Sequence, residues 1–210
     1  MEYDFLHPNS PSTWIKICGI CDEEMVDIAV GSGAHAIGFV FVEGSPRHIH
    51  RHDAETLMLQ LPEEVVGVAV VQNASSLESY SRWNGWLQLC GDEDEHTVAT
   101  APCPVIKAIQ WDPKQLLRWD GCPNLKAILI DGSTGGQGTT FDVAELATLI
   151  PTCQTPIIIA GGLTPDNVKD VINKAKPAGV DVSSGVESTR GIKDPVKICD
   201  FINQVHHSTA

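Results

Sequence analysis

The chain is short of positive charge. Against 27 Asp and Glu it carries 14 Lys and Arg in 210 residues, a net charge of −13 with histidine neutral. That balance argues against nucleic acid or an anionic membrane as a partner, because both call for a basic face. An anionic substrate would have to be met by a few placed groups. Long apolar runs are also missing, and no stretch approaches the ~20 residues of a membrane span. Residues 1–13 are polar, contain Pro8 and Pro11, and lack the apolar segment of a secretory leader; they are expected to form a flexible N-terminal extension. No second C-x-x-C accompanies Cys18-Gly19-Ile20-Cys21. The histidines are not at ligand spacing, with His48, His50 and His52 in an expected exposed loop, so no metal is expected. Seven cysteines, odd in number and scattered, do not form a disulfide framework, and the cytoplasm is the expected compartment. No linker or low-complexity segment divides the rest, so residues 14–207 are expected to form a single domain.

What is present is a strict alternation, with enough apolar content (42%) for a large core. Strands are predicted at Trp14–Cys18, Ala36–Phe41, Val65–Val71, Trp86–Leu89, Val105–Ile109, Ala127–Asp131, Ile157–Ala160 and Val180–Ser183. Helices are predicted at 22–32, 51–60, 75–82, 92–99, 113–119, 142–149, 165–175 and 194–205. Asp22, Ser75, Asp92, Asp112, Thr164 and Asp194 are the expected N-caps. Pro113, Pro165 and Pro195 suit a first helical turn, and Gly31 and Gly33 suit the end of the first helix. Eight alternating units imply a parallel sheet with helices outside. Their number favours closure into an α/β single-domain (β/α)8 TIM barrel, although roughly 250 residues is the more usual length.

Two segments point to a phosphate. Ile157 to Gly162 and Asp181 to Gly185 each read as a short strand ending in a glycine or serine turn that opens a helix. Gly161, Gly162, Ser183, Ser184 and Gly185 would then turn backbone N–H groups towards one point, as barrels do after strands seven and eight. The other strand ends add a thiol, Cys18, a carboxylate, Asp131, and an arginine, Arg47. A helix N-terminus beside Cys18 should lower its pKa and make it a nucleophile or a general base. Asp131 can act as an acid if burial keeps it protonated. Opposed acid and base suggest proton shuffling of the sugar-isomerase type. Lys16 shares the inward parity of Cys18, and a charge that deep needs a partner; Asp181, next door once the barrel closes, is the expected one. The loop 132–138, rich in glycine, is the expected lid.

At this point the chain resembles the phosphoribosylanthranilate isomerase family. The resemblance is carried by Lys16 to Ile20, Ala36 to Phe41, Ser45-Pro46-Arg47, Val66-Gly67-Val68, Gln88 to Glu93, Leu129-Ile130-Asp131, Gly135 to Asp142, Ala160 to Val168 and Gly179 to Glu187, nine segments in register. It implies an Amadori rearrangement of an aminoaldose to 1-(2-carboxyphenylamino)-1-deoxyribulose 5-phosphate, in tryptophan biosynthesis. It also implies Asp131 as general acid, Cys18 as general base and Arg47 on the anthranilate carboxylate. Lys16, Cys90, Asp181, Gly136 and the two phosphate turns complete the implied site. No cofactor is implied, because the substrate's own nitrogen is the electron sink. The implied partner is this small molecule, with monomer and homodimer both compatible. The chain departs from the family at Cys90, where histidine is usual, at Thr139, where lysine is usual, at Val143 in place of tryptophan and at Cys21 in place of threonine. Those changes keep two rivals in view: a phosphate-binding paralogue without turnover, and a barrel isomerase for another phosphoribosyl amine.

Overall fold

A computed structural model describes residues 12–132 and 143–208. Residues 1–11 of the expected extension, positions 133–138 of the expected lid with Gly136 among them, and Thr139 lie outside the described residues. Eight parallel strands close into a barrel in sequence order. They are β1 (Trp14–Cys18), β2 (Ala36–Val40), β3 (Val66–Val71), β4 (Trp86–Leu89), β5 (Val105–Gln110), β6 (Leu125–Asp131), β7 (Ile157–Ala160) and β8 (Gly179–Val182). Closure pairs β1 with β8 and sets Lys16 opposite Asp181. Each strand falls within two residues of its predicted bounds. Their apolar runs are buried on both faces, which a parallel barrel requires.

Strand alternation splits the core in two. Ile15, Ile17, Ile37 and Phe39 face outward to the helices, and Trp14, Cys18, Ala36, Val68 and Ile106 fill the interior. Trp14 stacks on Trp86 (centroids 5.8 Å apart) inside the end of the barrel where the strands begin.

The described helices are α1 (Glu23–Ser32), α2 (Arg51–Met58), α3 (Glu95–Ala99), α4 (Pro113–Trp119), α5 (Val143–Leu149), α6 (Val168–Ala175) and α7 (Pro195–His206). Asp22, Asp112 and Asp194 cap as expected, and Pro113 and Pro195 open their helices. Gly33 ends α1 in the left-handed region (φ 104°), whereas Gly31 lies inside the helix.

Four expectations are corrected. Segment 75–82 forms only a 3-10 turn, Glu78–Tyr80, and Ser75 does not cap it. Its serine-rich sequence favours local turns, and Trp83 fills the space a helix would take, packing edge-on to Phe39 and Phe41 and bonding Gly67 O. The fourth-unit helix starts at Glu95, capped by Asp94 rather than Asp92, because Asp92 N is already held by Asn73 and Glu93 is turned towards Lys107. In the seventh unit Thr164 and Pro165 sit in a turn, and α6 starts after Asn167. Finally, the second phosphate turn does not open a helix directly. A 3-10 turn, Ser184–Val186, leads into an antiparallel hairpin of β9 (Glu187–Thr189) and β10 (Ile192–Lys193) before α7.

Candidate active site

At the carboxyl ends of the strands lies a cavity of about 950 Å³. Cys18, Arg47, Cys90, Asp131, Gly161, Gly162, Asp181, Ser183, Ser184 and Gly185 all line it. Of the described residues assigned to the site from sequence, only Lys16 does not reach its surface; it lies beneath, fully buried.

Cys18 ends β1 with its thiol inside the barrel. The space comes from Gly38 on the paired strand: a Cβ there would lie 2.9 Å from Cys18 Sγ and 3.1 Å from Lys16 Cε. Lys16 Nζ donates to Asp181 Oδ1 at 2.9 Å. Burial works against the ammonium, but Asp181 and Cys18 outweigh it and raise the Lys16 pKa. The Cys18 thiol is pushed up, not down, which corrects the expectation from the helix end. Burial is the largest cause, and Lys16 and Lys193 oppose it. The positive end of α1 has its own anions, with Asp22 accepting from Met25 N and Glu23 and Glu24 in the first turn, so little of its field is left for the thiol. Cys21 points elsewhere and donates to Arg47 O at 3.4 Å; both thiols are free.

The arginine after β2 is held by a residue that the sequence reading left without a role. Arg47 Nε and Nη2 donate to Glu187 Oε1 and Oε2 at 2.6 and 2.9 Å. Glu187 also accepts from Lys193 Nζ at 3.1 Å and from Gly191 N at 3.0 Å. Burial would raise this carboxyl, but Arg47, the Gly191 amide and Lys193 bring it down to about 2. Lys193 itself is pushed down, chiefly by burial. Its Nζ also donates to Ser183 O at 2.8 Å, and Ser183 Oγ donates to Cys18 O at 3.1 Å. One chain of bonds thus runs from Arg47 to the backbone of Cys18. Glu187 stood at the end of a matched segment, and its charge beside buried Val186 was the available signal. Arg190, on the hairpin, is a further cation lining the cavity.

The two turns lie side by side on the cavity. Gly161 and Gly162 have φ of 81° and 68°, a left-handed pair that turns successive backbone groups to one side. Asn167 fixes this turn, accepting from Thr164 N at 2.8 Å and donating to Gly162 O at 2.9 Å. Gly185 packs against it so closely that a Cβ would lie 1.8 Å from Leu163 O.

On the β4 side, Cys90 accepts from Gln88 Nε2 at 3.3 Å, and burial pushes its thiol up to about 12. The turn behind it rests on a buried pair unforeseen from sequence. Lys107 Nζ donates to Gly91 O at 2.6 Å and to Glu93 Oε2 at 2.8 Å, and Glu93 accepts from the Asn73 and Gly91 amides. Among the described residues no group of three or more His, Cys, Asp or Glu could hold a metal, and no helix is long and apolar enough to cross a membrane.

The family model for N-(5'-phosphoribosyl)anthranilate (PRA) isomerase matches residues 15–204. A protein of that name from Chromohalobacter salexigens is 37% identical over 209 residues, spanning 94% of this chain and 96% of the relative. The crystal structure of phosphoribosyl anthranilate isomerase from Thermotoga maritima superposes with a TM-score of 0.85 at 34% identity, covering 93% of this chain and 99% of that one. Another isomerase structure, in complex with reduced 1-(o-carboxyphenylamino)-1-deoxyribulose 5-phosphate, gives 0.82 at 32% identity over 93% and 99%.

Proposed function

The chain belongs to the N-(5'-phosphoribosyl)anthranilate isomerase family and is an isomerase of tryptophan biosynthesis, and from that premise we propose how its own residues carry out an Amadori rearrangement. The observation that carries the proposal is the placement of Cys18, Asp131, Arg47 and both glycine turns on one cavity. The turns at 161–162 and 183–185 hold the phosphate through backbone N–H groups, which suits a chain with little positive charge to spare. Arg47 takes the anthranilate carboxylate on the edge of its guanidinium that Glu187 leaves unused. Cys90 and Asp181 close the wall and floor, with Gly136 assigned to the same site.

Asp131 gives a proton to the furanose oxygen. The C1′–O bond breaks, and the nitrogen lone pair forms an iminium. The Cys18 thiolate then takes the proton from C2′, and that electron pair neutralises the iminium to an enolamine, which tautomerises to the ketone. The raised pKa of Cys18 gives the cationic intermediate a second use. Its charge beside the thiol favours the thiolate at the moment the base is needed, in the company of Lys16 and Lys193. The substrate supplies the electron sink, so the chemistry calls for no cofactor or metal.

Residues 14–207 are the single catalytic unit, and one protomer supplies every described residue of the site, so a monomer or a homodimer would serve. Neither nucleic acid nor membrane enters this reading. Seven free cysteines fit the reducing cytoplasm, where we place the protein.

The test makes the substrate in situ from anthranilate and phosphoribosyl pyrophosphate with the upstream transferase, and follows its fluorescence. Rapid loss is expected, abolished by Cys18→Ala and by Asp131→Asn. No loss with folded, reduced protein would overturn the reading; binding of the reduced product analogue without turnover would favour a binding paralogue.

A further inference from the structure

Among the described residues that line the cavity, one buried side-chain atom has neither a partner nor a part in the reaction above. Gln88 stands on β4 with the inward parity of Trp86 and Cys90, and the residue is 5% exposed. It lines the cavity together with Cys18, Leu129 and Asp181. Its Nε2 donates to Cys90 Sγ at 3.3 Å, which fixes the plane of the amide. The other end, Oε1, is buried without a hydrogen-bond partner. Buried side-chain acceptors are nearly always paired, and an exception calls for an explanation. Trp14 Nε1 is also unpaired, but it lies in the stack with Trp86, away from the cavity lining.

The geometry points to Gln88 as a further substrate-contacting residue, whose Oε1 accepts a hydrogen bond from a hydroxyl of the bound sugar. This rests on the function proposed above. An amide oxygen can only accept, so it calls for a donor, and the substrate has few. Its phosphate and carboxylate are acceptors at neutral pH and are met by the glycine turns and Arg47. Its anilino N–H is already engaged by the carboxylate ortho to it on the same ring. The sugar hydroxyls remain, and they belong to the part of the substrate that must lie over Cys18. On the barrel interior, even-numbered strands contribute their own layer of side chains. Gln88, Gly38, Leu129 and Asp181 are such a set. Gly38 leaves a gap there for Cys18, so Gln88 supplies the polar contact on its side of the floor. A site built to bond a hydroxyl rejects a ligand that lacks it, because its own acceptor is then left unpaired. Gln88 therefore selects for a hydroxylated sugar and holds it in register with the base.

The experiment uses the full chain and the reduced product analogue, with analogues that lack the 2-, the 3- or the 4-hydroxyl. Binding is read from the change in anthranilate fluorescence, and Gln88→Met, of similar shape, is compared with wild type. We expect wild type to bind one deoxy analogue about tenfold or more weakly than the full one, and the variant to lose that difference while keeping its thermal midpoint near wild type. A merely structural role would weaken all analogues alike, and that result overturns the inference, as does a wild type indifferent to every hydroxyl. Should Gln88→Met fold poorly, Gln88→Leu is read in its place, and a folded variant that keeps the wild-type preference overturns the inference. A wild type that turns over substrate yet shows no hydroxyl preference overturns the role of Gln88 alone. A wild type that neither turns over substrate nor binds the full analogue overturns the proposed function, and this inference with it.

Discussion

Arg47 and Glu187, 140 positions apart, are joined in a two-pronged ion pair at 2.6 and 2.9 Å, with the Glu187 side chain 4% exposed. The pair aims the guanidinium before any substrate arrives. Glu187→Gln removes the charge that also holds Lys193, leaving a buried cation poorly compensated. We expect it to cost about 3 kcal/mol of stability and to raise KM about tenfold or more through a misplaced Arg47, with kcat less affected. Denaturant melts and steady-state kinetics check both; a normal KM would detach Glu187 from substrate binding.

The same carboxylate sets an acid limit. Its pKa is about 2 in the fold against an ordinary 4.5. A depressed carboxylate stabilises the fold at pH above 4.5, and that contribution is lost as pH falls from there towards 2. Stability measured across that window should therefore fall more steeply in wild type than in Glu187→Gln. Parallel curves would show that Glu187 is not the group responsible.

Lys16 and Asp181 form the second buried pair, and its removal separates structure from catalysis. Lys16→Met alone leaves Asp181 buried and unpaired, at a cost of about 3–5 kcal/mol. The double variant Lys16→Met, Asp181→Leu should regain much of that. It should not regain normal catalysis: without Lys16 the thiol, already pushed up by burial, ionises less readily. The rise of kcat/KM with pH should then move to more alkaline values. A stable double variant with an unchanged pH profile would reduce the pair to packing.

Gly38 supplies room rather than a contact. Gly38→Ala would put a Cβ 2.9 Å from Cys18 Sγ, so the thiol must shift. Overpacking of this kind costs about 1–3 kcal/mol, and turnover should fall by one or two orders of magnitude, about what a misplacement near 1 Å brings. Thiol-reagent kinetics and turnover on the same sample decide whether Cys18 has moved.

Gly185→Ala acts on the other end of the substrate. Its Cβ would lie 1.8 Å from Leu163 O, and backbone cannot yield as a flexible side chain can. The two glycine turns must separate, so affinity for the reduced product analogue should fall much more than affinity for anthranilate alone. Equal losses for both ligands would place the phosphate elsewhere.

The sequence by itself determined the barrel, because its signals are local. Eight apolar runs separated by caps and turns specify strands and helices over a few residues each, and eight parallel strands covered by helices have one closed solution. Alternation along β1 also gave the inward direction of Lys16, and closure gave Asp181 as its partner. Tertiary structure alone decided what depends on distant groups. The ionisation of Cys18 follows from burial, which outweighs the helix end that a local reading would credit. The hold on Arg47 comes from a hairpin that no periodicity announced, its strands being three and two residues long. The missing third helix was displaced by Trp83, packed against strands far away in sequence. The unpaired oxygen of Gln88 is visible only once Cys90 has taken the other end of its amide. Local propensity and period write the fold into short stretches of sequence, whereas charge, burial and hydrogen-bond pairing belong to neighbours that only folding brings together.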